Sequence, residues 1–168
     1  MLALAVSASL LAPGGAVGET RSHSAQTALE VSVLDQINAL RTSFGLRPLT
    51  FSHGLFGSAS IHCEQMVDGG YFGHQAPDGA SVTVRLDSYY PQQHYVNYAV
   101  GENLLWSEGP MSGAAMVAEW MESPPHRANL LNPRWRQVAV AALSVRSAPG
   151  VFSERAVTVV TADFGVRR

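Results

Sequence analysis

The chain contains no lysine: all 11 basic residues are arginine, set against 13 Asp and Glu. The arginine-only usage reads as a compositional bias of the source genome rather than as chemistry. Charge is scarce altogether, 14% of residues, and a net charge of −2 leaves no electrostatic footprint for nucleic acid or an anionic membrane. Cysteine is nearly absent too. With Cys63 alone, no intramolecular disulfide can form, so the core must hold the domain, and 168 residues suffice for one domain with a real core. Cys63 reads as a small buried apolar residue in a helix, and the adjacent His62 points away from it, so no activated thiolate is expected. No apolar stretch reaches the ~20 residues of a spanning helix, so stable membrane insertion is not expected.

The longest apolar stretch lies at the start. Met1 to Val17 is almost wholly small and apolar, Pro13-Gly14-Gly15 breaks it, and Ala16-Val17-Gly18 suits cleavage before Glu19. Residues 1–18 therefore read as an export signal, which makes a secreted, extracellular protein the expectation. The usual basic n-region is missing, since the first arginine is Arg21. Either residues upstream of Met1 are missing or the segment is an apolar tail. Residues 19–28, polar and rich in Ser and Thr, read as a flexible mature N-terminus. Residues 29–168 read as one domain.

Within it, Thr27-Ala28-Leu29-Glu30 has capping-box spacing, followed by Leu29, Val33, Ile37, Leu40 and Phe44 at helical intervals up to Gly45. Ser52 caps a second helix that ends at Gly69-Gly70, and Ser81 a short third one with Val84 and Leu86 on one face. Ala99 to Trp106 reads as extended. Gly113 to Glu122 reads as a helix with Ala115, Met116 and Trp120 inside, ended by Pro124-Pro125. Gln137 to Val145 and Ala156 to Phe164 are β-rich strands around a loop at Ser147 to Gly150. Such an order permits an α+β fold with an antiparallel sheet between helical layers.

Three short phrases carry titratable side chains on stiff backbone: Gly70-Tyr71-Phe72-Gly73-His74, Gly101-Glu102-Asn103, and Trp120-Met121-Glu122-Ser123-Pro124-Pro125-His126-Arg127. If two imidazoles and a carboxylate converge, they can bind a divalent metal or move a proton. With Ile37-Asn38-Ala39-Leu40-Arg41, Gly45-Leu46-Arg47-Pro48-Leu49, Ala59-Ser60-Ile61-His62, Pro77-Asp78-Gly79, Ala128-Asn129-Leu130-Leu131 and Ala162-Asp163-Phe164-Gly165, they cover Leu34 to Gly165. In that order they resemble the CAP superfamily (cysteine-rich secretory proteins, antigen 5, pathogenesis-related 1), in its disulfide-free bacterial branch.

The resemblance implies the three-layer α-β-α CAP sandwich and a cleft of two histidines and two acids that binds a divalent metal in some members. Matched by motif, His74, Glu102 and His126 are the first histidine, first glutamate and second histidine. The place of the second glutamate, three residues after the helix tryptophan, holds Ser123. Glu122 should face elsewhere, and Glu119 reads as solvated. The expected metal ligands are thus His74, Glu102 and His126, with Zn²⁺ bound weakly and Ser123 on the rim. Several relatives bind sterols or lipids, so the leading expectation is a non-catalytic extracellular binding module for a small hydrophobic or cell-envelope ligand, acting as a monomer. A metal-assisted hydrolase at the same cleft is the alternative.

Overall fold

A computed structural model describes residues 26–168. The export-signal reading, and the stretch that follows it as far as residue 25, lie outside the described residues. In chain order the elements are α1 (Ala28–Ser43), β1 (Thr50–Phe51), α2 (His53–Gly69), α3 (Val82–Tyr89), β2 (Tyr98–Glu108), α4 (Gly113–Glu122), α5 (Pro124–Leu130), β3 (Gln137–Ala148), a 3₁₀ turn at Gly150–Phe152, and β4 (Arg155–Arg167).

The sheet order is β1-β3-β4-β2. β4 pairs antiparallel with both β2 and β3, as expected. The short β1, not assigned from sequence, adds a parallel edge through Thr50↔Gln137 and Phe51↔Val138. α1, α4 and α5 cover one face over a core of Ile37, Trp120, Val140, Val160 and Phe164. α2 and α3 cover the other, over Leu55, Met66, Leu86, Ala139 and Val159. The three layers of the expected sandwich are present. β4 is sealed on both sides, so Val157 to Val166 is buried without the alternation of a half-exposed strand.

Local chemistry sets the element ends. Thr27 Oγ1 accepts from the Glu30 amide and Glu30 Oε2 accepts from the Thr27 amide, closing a capping box on α1. Its cap and first residue thus fall inside the stretch read as a flexible N-terminus. Glu30 Oε1 also accepts from the Ala142 amide at 2.9 Å, which ties α1 to β3. Gly70 ends α2 at φ 63°, and a Cβ there would lie 3.0 Å from the Gly150 backbone, so both conformation and space require glycine.

Three sequence expectations need correction. Pro124-Pro125 does not merely end α4: the chain breaks at Ser123, and the prolines fill the first turn of α5, where a missing N–H costs nothing. In α4 the inner stripe is Gly113, Met116, Val117 and Trp120, while Ala115 is exposed. In α3 Leu86 is buried but Val84 stands in solvent. Cys63 behaves as expected: it is buried, and burial pushes its thiol up to about 12.

Candidate functional site at the open edge of the sheet

Glu102 sits on β2, a strand paired on one side only. Side chains alternate across a strand, so Glu102 faces the α2/α3 layer with Leu104, while Asn103 faces the α4/α5 layer. The register sets Glu102 opposite Asp163 on β4. Both carboxyls are buried.

Each Glu102 oxygen has a partner. Oε1 lies 2.7 Å from His74 Nδ1, and Oε2 accepts from the Arg85 guanidinium, delivered by α3. Arg85 Nε also donates to Ser58 Oγ at 3.3 Å, and Arg85 stands 4.0 Å from Asp163. His62, fully buried on α2, donates Nε2–H to the Gly73 carbonyl at 3.0 Å and lies 3.8 Å from Glu102. That bond pins the loop carrying His74, whose own side chain remains 52% exposed.

Burial disfavours the charged forms of Asp163 and His62 around the pair. Burial first, then the neighbouring Glu102, raises Asp163 well above the usual carboxylate range, with Arg85 opposing. Neither Asp163 oxygen makes a hydrogen bond of good geometry, although Ser58 and Glu102 stand alongside. A protonated Asp163 can donate to Glu102, which leaves one carboxylate matched by one guanidinium. Burial lowers His62 against the pull of Glu102.

His126 reaches the site from the other layer. Asn103 Nδ2 donates to its carbonyl at 3.0 Å, and Asn129 Nδ2 donates to Asn103 Oδ1 and to the Glu102 carbonyl, each at 3.0 Å. These amides fasten α5 to β2. The His126 ring is half-buried, and its pKa is lowered by burial and then by the charge of His74. No hydrogen bond or ion pair joins the His126 ring to Glu102 among the described residues. Ser123 is the N-cap of α5 and makes no capping bond with its side chain. Glu119 and Glu122 are exposed on α4. The second acid beside Glu102 is Asp163.

These contacts bear on zinc. Among the described residues, no group of three His, Cys, Asp or Glu side chains is arranged to hold a metal. Arg85 and His74 already occupy both Glu102 oxygens, so the trio as placed does not fit a three-donor zinc site. The arrangement favours another use. With Nδ1 held by Glu102, His74 Nε2 is left free to accept a proton or a ligand hydrogen bond.

Beside Arg85 runs a groove of about 300 Å³, walled by Ile61, Ala76, Ala80, Val84 and Tyr89 with Asp78 at its polar end. Sequence reasoning missed Arg85, Asp163, His62 and Ser58. Asp163 had a signal, as an acid in an otherwise apolar closing strand; the others are non-local.

The sequence profile of the cysteine-rich secretory protein family, CAP, matches residues 34–164. The uncharacterized protein YkwD of Bacillus subtilis is 33% identical over 122 residues, covering 72% of this chain and 45% of its own length. The uncharacterized membrane protein YlbC of the same organism is 30% identical over 125 residues, covering 74% of this chain and 34% of its own. The chain thus spans less than half the length of these curated relatives. Among solved structures, an outer surface protein of Borrelia burgdorferi superposes with TM-score 0.64 at 17% identity, covering 81% of this chain and 90% of its own. An extracellular SCP-domain protein of Bacillus anthracis does so with TM-score 0.61 at 24% identity, covering 83% of this chain and 40% of its own.

Proposed function

Because this chain belongs to the cysteine-rich secretory protein (CAP) family, we propose that it is a secreted binding module for a small hydrophobic or cell-envelope ligand. The observation that carries the reading is Arg85, which lines the apolar groove and also grips Glu102. Arg85 thereby links the groove wall to the His74–Glu102 pair. The groove volume lies at the lower end of the roughly 300–1,000 Å³ of small-ligand pockets. Ile61, Val84 and Tyr89 would take the apolar part of a ligand, and the half-exposed His74 its polar part. Export is supported by the apolar character of residues 1–18 and by two structural neighbours described as outer surface and extracellular proteins. No described helix is long and apolar enough to cross a membrane.

The test uses a fluorescent fatty acid and purified peptidoglycan as probes. One of the two should bind saturably and be lost in Val84→Asp, which puts a charge into the groove wall. If neither binds, or Val84→Asp binds as well as the parent, the reading fails.

Hydrolysis at the same cleft is the second reading, favoured by the His74–Glu102 pair. A carboxylate that holds Nδ1 fixes the tautomer and makes Nε2 a competent base for water. In this form the reaction uses His74 as base and Glu102 to orient it, without a three-donor metal set. Release of reducing ends from peptidoglycan, lost in His74→Ala, would establish it. Elemental analysis of both proteins settles whether zinc accompanies it; uptake should be weak, because Glu102 must first leave Arg85.

A further inference from the structure

Five of the chain's 11 arginines gather at one end of the sheet, away from the His74–Glu102 pair. Arg47 follows α1, Arg134 and Arg136 precede β3, and Arg167 and Arg168 close β4. The backbone there is locked by the sheet. The Thr50 amide donates to the Arg136 carbonyl, the Arg136 amide to the Gly165 carbonyl, and Asn97 and Arg168 exchange two bonds, all at 3.0 Å. Two contiguous grooves result, of about 320 and 520 Å³, sharing Arg136 and Arg168.

Two guanidiniums are fixed in place. Arg136 Nη1 donates to the carbonyls of Pro133, Arg134 and Trp135 at 2.8, 3.0 and 2.7 Å. Arg167 lies over the Tyr90 ring at 4.1 Å and the Tyr95 ring at 5.4 Å. Among the described residues no acidic side chain lines either groove, and none forms an ion pair with any of the five arginines. Desolvation, then Arg168 and Arg47, disfavours the Arg136 charge. Positioned like charges without a counter-charge raise the free energy of the folded chain, and a bound anion relieves that cost.

We propose that this end of the sheet is a binding site for a compact phosphate-bearing ligand with two linked phosphoryl groups, one to each groove. The planar fork of arginine matches phosphate oxygens in pairs. Two grooves that share two guanidiniums suit a diphosphate better than a single oxyanion. Compactness follows from the charge balance. Outside the patch the other six arginines are outnumbered by 13 Asp and Glu, so an extended polyanion or an anionic bilayer meets repulsion beyond the grooves.

Calorimetric titration with pyrophosphate at low salt, using the full chain, tests the site. Saturable binding of one ligand per chain is expected, weaker for phosphate and sulfate and weakened by salt. Affinity should fall about tenfold or more in Arg136→Gln. Because that change also removes bonds to the turn carbonyls, the double variant Arg47→Gln/Arg168→Gln serves as the second measurement and should lose affinity to a similar degree. His74→Ala should bind pyrophosphate as the parent does, which separates this site from the cleft. Absence of saturable binding, equal affinity in the double variant, or equal affinity for sulfate would overturn the proposal. So would binding confined to phosphatidylglycerol vesicles, which would make this end a membrane-contact face.

Discussion

Arg85 and Arg136 carry the same side chain into opposite circumstances. Arg85 reaches from α3 into a nearly closed cluster, where Glu102 takes its charge, Ser58 accepts from Nε, and burial raises the pKa of Asp163 beside them. Arg136 sits on a turn, anchored by carbonyls and surrounded by further arginines. The first guanidinium is part of what holds the molecule together; the second holds nothing that a neutral donor could not hold. A buried ion pair must be matched within the fold, since breaking it leaves a charge in low dielectric. An exposed cluster of one sign is tolerated by solvent and can wait for a ligand. One sheet thus carries a site built inward, in the middle of β2 and β4, and one built outward, at the ends of β3 and β4.

The largest effect is expected from the support of the inward site. Trp120 is 1% exposed and donates Nε1–H to the Leu104 carbonyl at 2.9 Å, which fastens α4 to β2 next to Glu102. Trp120→Ala should cost about 3–5 kcal/mol by chemical denaturation. It should also loosen His126, seen as broadened ring resonances in NMR, while any surviving folded protein keeps its affinity for pyrophosphate. His126→Ala should melt close to the parent, because its fixed contact is a backbone carbonyl that alanine retains. If His126→Ala proved the more damaging, the histidine would be a structural residue.

Arg85→Ala comes next. It leaves the Glu102 carboxylate, 1% exposed as a side chain, with no permanent counter-charge. A loss of about 3 kcal/mol is expected at neutral pH. A loss under 1 kcal/mol, the size of a surface pair, would erase the contrast between the two sites.

How far these regions could be read from sequence follows from how local their causes are. The α1 capping box, the Cys63 burial and the motifs that carry His74 and Glu102 are short-range patterns, and they stand in the chain as written. α5 was not legible because two prolines read equally as a stop and as a start; the break at Ser123 decides it. β1 is two residues long and exists only because β3 lies beside it. The cluster around Glu102 collects Ser58 and His62 from α2, Arg85 from α3 and Asp163 from β4, and no spacing announces such a meeting. The arginine end was invisible for another reason: a chain with no lysine makes each arginine look like background.

A smaller effect tests the neutral Asp163. Its folded pKa is raised, so the folded state holds a proton that the unfolded chain releases above the ordinary aspartate value of 3.8. Its contribution is therefore complete below that value and is lost as pH rises toward the folded pKa. His62 and His126 run the other way: both are lowered from 6.5, so their contribution is present above 6.5 and is lost as pH falls through their folded values. Asp163→Asn, which keeps a donor toward Glu102, should raise the melting temperature at pH 7 and leave the loss below pH 6.5 in place. Unchanged melting at pH 7 would mean that the fold does not disfavour the ionised Asp163 and that Arg85 serves two carboxylates.

The smallest stability effect is expected at the outward end, and there the sign is the result. Arg47 is exposed, lines the larger groove, and adds to the repulsion on Arg136. Arg47→Gln removes one charge from the cluster while keeping a polar side chain, so no packing or internal ion pair is lost. The melting temperature should stay level or rise slightly at low salt, and the difference should vanish at high salt as screening removes the repulsion. Added pyrophosphate should stabilise the parent more than the variant, because ligand linkage acts only through a competent site. A fall in melting temperature for Arg47→Gln without ligand would show that Arg47 contributes to the fold, and the outward site would then resemble the inward one.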